Sequence, residues 1–413
     1  MSPFSLEAAE APAPARHDRQ HVMAFVNDNA TLRELQDGLI DIVPEGMELR
    51  RGGIRAAIAA MQKATTPRVL VVDIAGDDDP IAALRKLGEV VEPDVCVLAV
   101  GDVDDIGFYR QVTRGLGVME YLAKPLTRDL IGRHFGPLVA GQSPDAAVVL
   151  GGRMVTITGT HGGVGASVIA ANLAWNLGVQ RRRHTVLLDA DLHRGVASLL
   201  LNTPAGRGLR TALEEPDRLD SLLAERAAQP AADRLHVLSC LEDLSEIPAY
   251  AEGAATTLLE ALRARYNFIV ADTPFLPVQF NRDLLDLGHQ RVLVMLPTLA
   301  CIRDTLRMLQ MMPGSLQTRR PTVVLNRLGM PGGLARKQVE DALGMKADVV
   351  IPDLPKQVET ATTVGEPLAA TRGPFNAAIV ELARQVAASD PLDAVGRAEA
   401  PPPRRRWRLP FFR

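Results

Sequence analysis

The sequence predicts an α/β protein of two units in series, a five-stranded parallel sheet followed by a larger, mostly parallel one. Three observations carry that expectation. Short apolar, β-branched runs alternate with stretches of helical period from residue 21 to about 386. The runs repeatedly end in polar residues (Asn27 and Asp28, Asp73, Asp189, Asp272, Asn326), as strands do when their carboxyl ends form a functional edge. Hydrophobic residues make up 47% of the 413 and charged ones 23%, ample core for two or three domains.

In the first unit, Val22–Val26 reads as a strand, followed by a helix through Leu32, Leu35 and Ile40. Met47–Arg51 and a helix over Ile54–Met61 come next. Arg68–Val72, Val95–Val100 and Val118–Leu122 are further strands, separated by helical stretches at 81–90 and 104–115, and a helix over 127–139 closes the unit. Five strands, each followed by a helix, require a doubly wound sheet. Gly136 to Gly152 reads as a linker.

The second unit has strand runs at Met154–Thr158, Thr185–Ala190, His236–Cys240, Phe268–Asp272, Arg291–Leu296, Thr322–Asn326 and Val349–Ile351. A closing amphipathic helix places Phe375, Ile379, Leu382 and Val386 on one face. The 27 residues from Met154 to Gln180 contain no Asp, Glu, Lys or Arg. Five glycines, three threonines and two asparagines make them a strand, a loop and a buried helix, not a membrane span. The division is thus 1–20 as a disordered lead, 21–140 as the first unit, 141–152 as linker, 153–390 as the second unit and 391–413 as a Pro-rich linker and tail.

Net charge is −3, so no global basic field recommends a nucleic-acid partner. Cys96, Cys240 and Cys301 fit no metal-ligand spacing and point to a reducing, cytoplasmic compartment. Residues 1–20 lack the apolar core of a signal peptide. The last ten residues carry five arginines and no acid, which leaves −8 on the rest of the chain. There Arg404, Arg405, Arg406, Arg408 and Arg413 interleave with Trp407, Phe411 and Phe412, after the stiff spacer Pro401-Pro402-Pro403. Each arginine near an anionic bilayer is worth ~1 kcal/mol and the aromatics suit the interface, so reversible membrane contact is expected.

Smaller motifs have plainer readings. Arg181-Arg182-Arg183 reads as a solvated turn. Asp77-Asp78-Asp79 before Pro80 reads as first-turn helix charge, and Trp175 as helix packing. His193-Arg194, after Asp191, is either a phosphate or partner contact or plain exposed surface.

Asp73 ending the third strand, Asp28 after the first and Lys124-Pro125 after the fifth resemble response-regulator receiver domains. The resemblance implies Mg²⁺-assisted phosphorylation of Asp73, with Asp28 as an acidic partner and Lys124 as the lysine. Asn27 stands at the other acidic position and Gly101 where a hydroxyl is expected. Fewer anionic oxygens bind metal less well, so an atypical, receiver-shaped docking unit is the expectation. A phosphorylation-controlled response regulator is the alternative.

The sharpest motif is Thr160-His161-Gly162-Gly163-Val164-Gly165-Ala166-Ser167, between a strand and a helix. Such glycines let backbone N–H groups curl around phosphates at a helix N-terminus, and Ser167 sits where a P-loop hydroxyl reaches Mg²⁺. With Leu187-Leu188-Asp189-Ala190-Asp191, Val270-Ala271-Asp272-Thr273-Pro274, Leu296-Pro297-Thr298 with Arg303-Asp304, Asn326-Arg327 and Gly365-Glu366-Pro367-Leu368, it resembles the deviant Walker A ATPases of the MinD/ParA superfamily. Within them it is similar to the CpaE/TadZ pilus-assembly proteins. The resemblance implies ATP and Mg²⁺ as ligands, Asp191 near the attacking water, Asp272 near Mg²⁺ through water, and Asn326 at the base. It further implies a homodimer, peripheral placement at the inner membrane with the cell pole as a candidate place, and a pilus or secretion motor ATPase and inner-membrane platform as partners.

Two positions depart from the pattern. Ala166 replaces the P-loop lysine and His161 the signature lysine. Removing a cation ~4 Å from a phosphate oxygen costs about 4 kcal/mol at an effective dielectric of ~20, roughly a thousandfold if it falls on the transition state. Phosphoryl transfer depends on such cations, and an imidazole carries at most part of a charge near neutrality. Weak nucleotide binding with at most slow hydrolysis is therefore expected, in a localisation or assembly factor for a Flp/Tad-type pilus or secretion machine. The alternative is an active positioning ATPase.

Overall fold

The computed structural model describes residues 21–388, apart from 41, 44–46, 94, 141–151, 220–223, 225 and 313–319. The first sheet contains β1 (Val22–Val26), β2 (Glu48–Arg51), β3 (Val69–Asp73), β4 (Cys96–Gly101) and β5 (Glu120–Ala123). All are parallel, in the order β2-β1-β3-β4-β5. This is the strand order of flavodoxin-like doubly wound sheets, with ligand-binding edges at the strand carboxyl ends. Every residue of β1 and β3 is buried, because helices cover both faces.

The second sheet contains β6 (Arg153–Gly159), β7 (Thr185–Asp189), β8 (Gln229–Ala232), β9 (Leu235–Leu238), β10 (Phe268–Asp272), β11 (Gln290–Met295), β12 (Thr322–Leu328) and β13 (Val349–Pro352). Their order is β13-β12-β11-β6-β10-β7-β9-β8. Seven strands are parallel, and β8 pairs antiparallel with β9. The charge-free stretch divides into β6, a loop, and a buried helix Ala166–Trp175 that runs on as a π-helical turn through Gln180. No helix among the described residues is long and apolar enough to cross a membrane. The closing helix Pro374–Ala388 buries Phe375, Ile379, Leu382 and Val386, as its period predicts.

Several expectations need correction. Strand β8 has no sequence signal: Gln-Pro-Ala-Ala is a poor strand former, and its proline is tolerated only at a sheet edge. The helix expected over 127–139 breaks into Arg128–His134 and Gly136–Val139 at Gly136-Pro137. The expected linker therefore starts as a helical turn, with Gly136 and Val139 buried.

Arg181-Arg182-Arg183 is not simply solvated. Arg181 donates to the carbonyls of Val380 and Ala383 in the middle of the closing helix, and Arg183 pairs with Glu89 of the first unit. The two units meet at this place. Arg234, only 5% exposed, donates to the carbonyls of Met61 (2.9 Å), Ala64 (3.3 Å), Val90 (3.2 Å) and Arg182 (2.9 Å). The Asn267 amide donates to Gly88 and Val91. Met61 and Val90 end the helices Gly53–Met61 and Pro80–Val90, so donors of the second unit meet the negative ends of two helices of the first. His184, Arg234 and Asn267 each immediately precede a strand, β7, β9 and β10. The sheets thus join by their strand amino ends, and their carboxyl edges face away from each other.

Candidate functional site

In the first unit, Asp73 is fully buried at the end of β3 and both its oxygens are occupied. Oδ1 accepts from the Ala75 N–H, and Oδ2 accepts from the Asn27 N–H and from Lys124 Nζ at 2.8 Å. The same ammonium lies 2.7 Å from Asp28 Oδ2. Lys124 and the capping N–H of Thr31 hold the Asp28 carboxyl down at about 2. A Cβ on Gly101 would lie 2.8 Å from Ile74 and 2.9 Å from the Tyr121 hydroxyl, so the space for the missing hydroxyl side chain is filled. Asp28, Asp73 and Lys124 thus come together as one closed ion cluster. Asp79 caps the helix Pro80–Val90, as first-turn charge predicts, while Asp77 binds Arg55.

At the carboxyl edge of the second sheet lies a cavity of about 870 Å³, well within the range of small-molecule sites. Residues 159–169 form one wall, Asp191, Arg194 and Gly195 another, and Asp272–Leu276, Asn326, Arg327, Ile351–Pro355 and the helix residues Val358, Glu359 and Thr362 lie around the rest, with Phe375. His161, Gly162, Gly163, Val164, Gly165, Ala166, Ser167, Asp191, Asp272 and Asn326, the residues singled out in the sequence, all line it.

Gly165 precedes the helix with φ +92°, and a Cβ there would lie 2.5 Å from the Asn326 amide nitrogen. That nitrogen donates to the Val164 carbonyl at 2.8 Å, while the Asn326 oxygen accepts from the Arg327 N–H. Asn326 therefore fastens the loop to β12, a task its pattern did not reveal. His161 Nε2 is 2.6 Å from Asp304 Oδ2, so the imidazole is directed to the helix Leu299–Met311. Asp304 is held down at about 2, first by Arg303 and then by Arg307. Ala166 opens the helix Ala166–Trp175 and brings no charge.

Two carboxylates lie opposite each other, since Asp189 and Asp272 are register partners on β7 and β10. Burial, then the charge of its neighbour Asp189, pushes Asp272 up to about 7, against a hydrogen bond from Ser167. Burial pushes Asp189 up to about 6. Asp189 also organises the next loop: its oxygens accept from the Asp191 and Ala197 N–H groups. A Cβ on Gly195 would lie 2.4 Å from Asp189 Oδ2.

Three features fit a magnesium nucleotide. Ser167 and Asp272 give hard oxygen donors in contact, short of opposite charge. The Thr160 hydroxyl is buried without a hydrogen-bond partner. The loop faces open space at Gly162 and Gly163. Among the described residues, no group of three or more His, Cys, Asp or Glu forms a protein-only metal site. Such a metal would therefore need ligands beyond the protein, as Mg²⁺ commonly takes from phosphates and water.

No protein-family model matches the chain. A putative septum site-determining protein MinD from Emiliania huxleyi is 28% identical over 227 residues, covering 52% of this chain and 79% of its own. The crystal structure of a ParA family ATPase from Chlorobium tepidum TLS aligns over 56% of this chain and 98% of its own, with a TM-score of 0.50 and 20% identity. About half of the chain has the MinD/ParA-like P-loop fold. A pilus assembly protein CpaE from Caulobacter crescentus CB15 aligns over 28% of this chain and 97% of its own at 29% identity, with a TM-score of 0.27.

Asp304 and Arg327 stand in the quoted family pattern without a role; Asp304 bears on the cavity through His161. Arg327 lines it and binds Asp353 at 2.9 Å. The tail residues Arg404–Arg406, Trp407, Arg408, Phe411, Phe412 and Arg413 lie outside the described residues.

Proposed function

We propose that the chain is a localisation or assembly factor for a Flp/Tad-type pilus or secretion machine, which uses MgATP as a weakly bound, hardly hydrolysed ligand. The observation that carries the nucleotide reading is a phosphate cradle that keeps its backbone, its Ser167 hydroxyl and its carboxylates but has no lysine. Ala166 is neutral, and His161 is engaged by Asp304. In this reading Ser167 and Asp272 would hold Mg²⁺, Asp272 through water, and the ion would supply charge neutralisation of the phosphates. Asp191 orients water, and the loop N–H groups at 162–167 bind phosphate oxygens. Without a cation from the loop, charge building up between the phosphates is poorly met, so hydrolysis is slow.

The pilus assignment is supported by the sequence resemblance to CpaE/TadZ proteins, whose partners would be a motor ATPase and an inner-membrane platform. The order of a receiver-like unit before the ATPase-like unit supports it too. Asn27 in place of an acidic residue and the filled space at Gly101 favour a docking role for the first unit over phosphorelay control. The arginine-aromatic tail would hold the protein, as a homodimer, at the anionic inner-membrane surface.

The test is calorimetric MgATP binding alongside a turnover assay. Binding with turnover near background is expected. Turnover comparable with active MinD-type enzymes, abolished by Asp191→Ala, would refute the reading and favour an active switch. Loss of binding to anionic vesicles on deleting 404–413 is the expected result for the tail; unchanged binding removes its membrane role.

A further inference from the structure

We propose that Arg194 is the cation that meets the terminal phosphate of a nucleoside triphosphate in this cavity, standing in for the lysines missing at 161 and 166. The inference rests on the nucleotide reading above. Four carboxylates (Asp191, Asp272, Asp353 and Glu359) line the cavity against three basic side chains, His161, Arg194 and Arg327. A polyphosphate entering so acidic a site needs every cation available.

Two of the three basic groups are already committed. His161 contacts Asp304 at 2.6 Å, and Arg327 Nε donates to Asp353 at 2.9 Å. The Arg194 guanidinium is 4.0 Å from Asp191 Oδ2, beyond hydrogen-bond reach, and its side chain is 73% exposed. Its backbone, by contrast, is fixed. The Arg194 N–H donates to Asp191 Oδ1 at 3.0 Å and the Gly195 N–H to the Asp191 carbonyl at 3.0 Å. A guanidinium held only by this long ion pair, on a fixed stem, can swing onto a phosphate at little cost, and its planar fork suits two phosphate oxygens at once.

Arg194 approaches from the loop after β7, a wall separate from the glycine loop. Phosphates enclosed by the loop N–H groups do not depend on it; the outermost one does. Arg194 therefore makes the site prefer a triphosphate to a diphosphate. It also places the phosphate-sensing cation on the loop that carries Asp191. That loop is tied to a neighbouring exposed segment through the Glu242 N–H to the Leu192 carbonyl and through His193 to the Glu246 carbonyl.

The experiment is titration calorimetry of the full chain with MgATP and MgADP, for wild type, Arg194→Gln, Arg194→Lys and Arg327→Gln. Arg194→Gln should weaken MgATP about tenfold or more and MgADP less than about twofold. Arg194→Lys, which keeps the charge but not the two-point fork, should retain part of the difference, at an unchanged melting midpoint. Equal MgATP affinity in wild type and Arg194→Gln, or equal losses for both nucleotides, overturns the inference and leaves the nucleotide reading standing. A selective loss of MgATP in Arg327→Gln alone also overturns it, because the third cation would then be Arg327. If wild type binds no MgATP, the nucleotide reading itself falls, and this inference with it.

Discussion

Replacing Arg234 by methionine should loosen the union of the two units without touching either functional edge. The guanidinium makes two bonds of 2.9 Å, to Met61 and Arg182, and two longer ones, to Ala64 and Val90. Hydrogen bonds from a charged donor are worth ~1.5–3 kcal/mol each at good geometry and less when long, so the gross loss is about 5 kcal/mol. Burial of the guanidinium, which pulls its pKa down, opposes this and returns part of the loss. Three of the four carbonyls belong to the first unit, and leaving them without a donor adds to the cost. The net expectation is ~2–4 kcal/mol, concentrated at the seam. Urea unfolding followed separately by fluorescence and circular dichroism should then change from coincident to separate transitions, with protease sites opening between the units. Asn267→Ala, which removes the bonds to Gly88 and Val91, should couple with it in a double-mutant cycle. If Arg234→Met unfolds in one transition at the wild-type midpoint, the clamp does not hold the units together.

The two edges give further, shorter predictions. Lys124→Met leaves the buried Asp73 without its cation and should cost ~3–5 kcal/mol in a melting experiment, with Asp73→Asn in the same background recovering much of it. Asp28 has its folded-state pKa lowered to about 2, so its stabilisation is full above about 3.8 and is lost as pH falls from there toward 2. Because Asp28 is 44% exposed, the loss should be only about 1 kcal/mol in an acid titration, and smaller in Lys124→Met, where only the Thr31 bonds still favour the carboxylate. Ala166→Lys should tighten MgATP by about tenfold or more if the missing cation limits affinity, whereas EDTA should abolish binding because of the cavity's carboxylates. Gly195→Ala pushes a methyl against Asp189 and should weaken nucleotide binding more than it lowers the melting midpoint.

The legible parts of the sequence were those where a local pattern meets a local cause. The parallel strands announce themselves by apolar runs, and the glycine loop by residues that leave room for phosphate. What escaped depends on partners distant in the chain. Arg181 and Arg183 read as surface charge because nothing nearby reveals the closing helix and Glu89 that receive them. The same holds for Asn326, whose amide meets the Val164 carbonyl 162 residues away. The departure at His161 was visible, but its pairing with Asp304 required the helix Leu299–Met311 to be placed beside the loop. Strand β8 escaped because edge position, not propensity, makes it a strand.

The closing helix brings the chain back to the seam. Its middle accepts bonds from Arg181 and its last turn one from Arg153, which begins β6, so Ala388 lies by the strand amino ends, next to the clamp. A tether attached after Ala388 would pull on the waist of the molecule and not on either end. Held to a flat surface in that way, the protein resembles a balance beam resting on its pivot. The Asp73 edge and the nucleotide cavity would extend in opposite directions along the surface, each reachable by a partner without displacing the other.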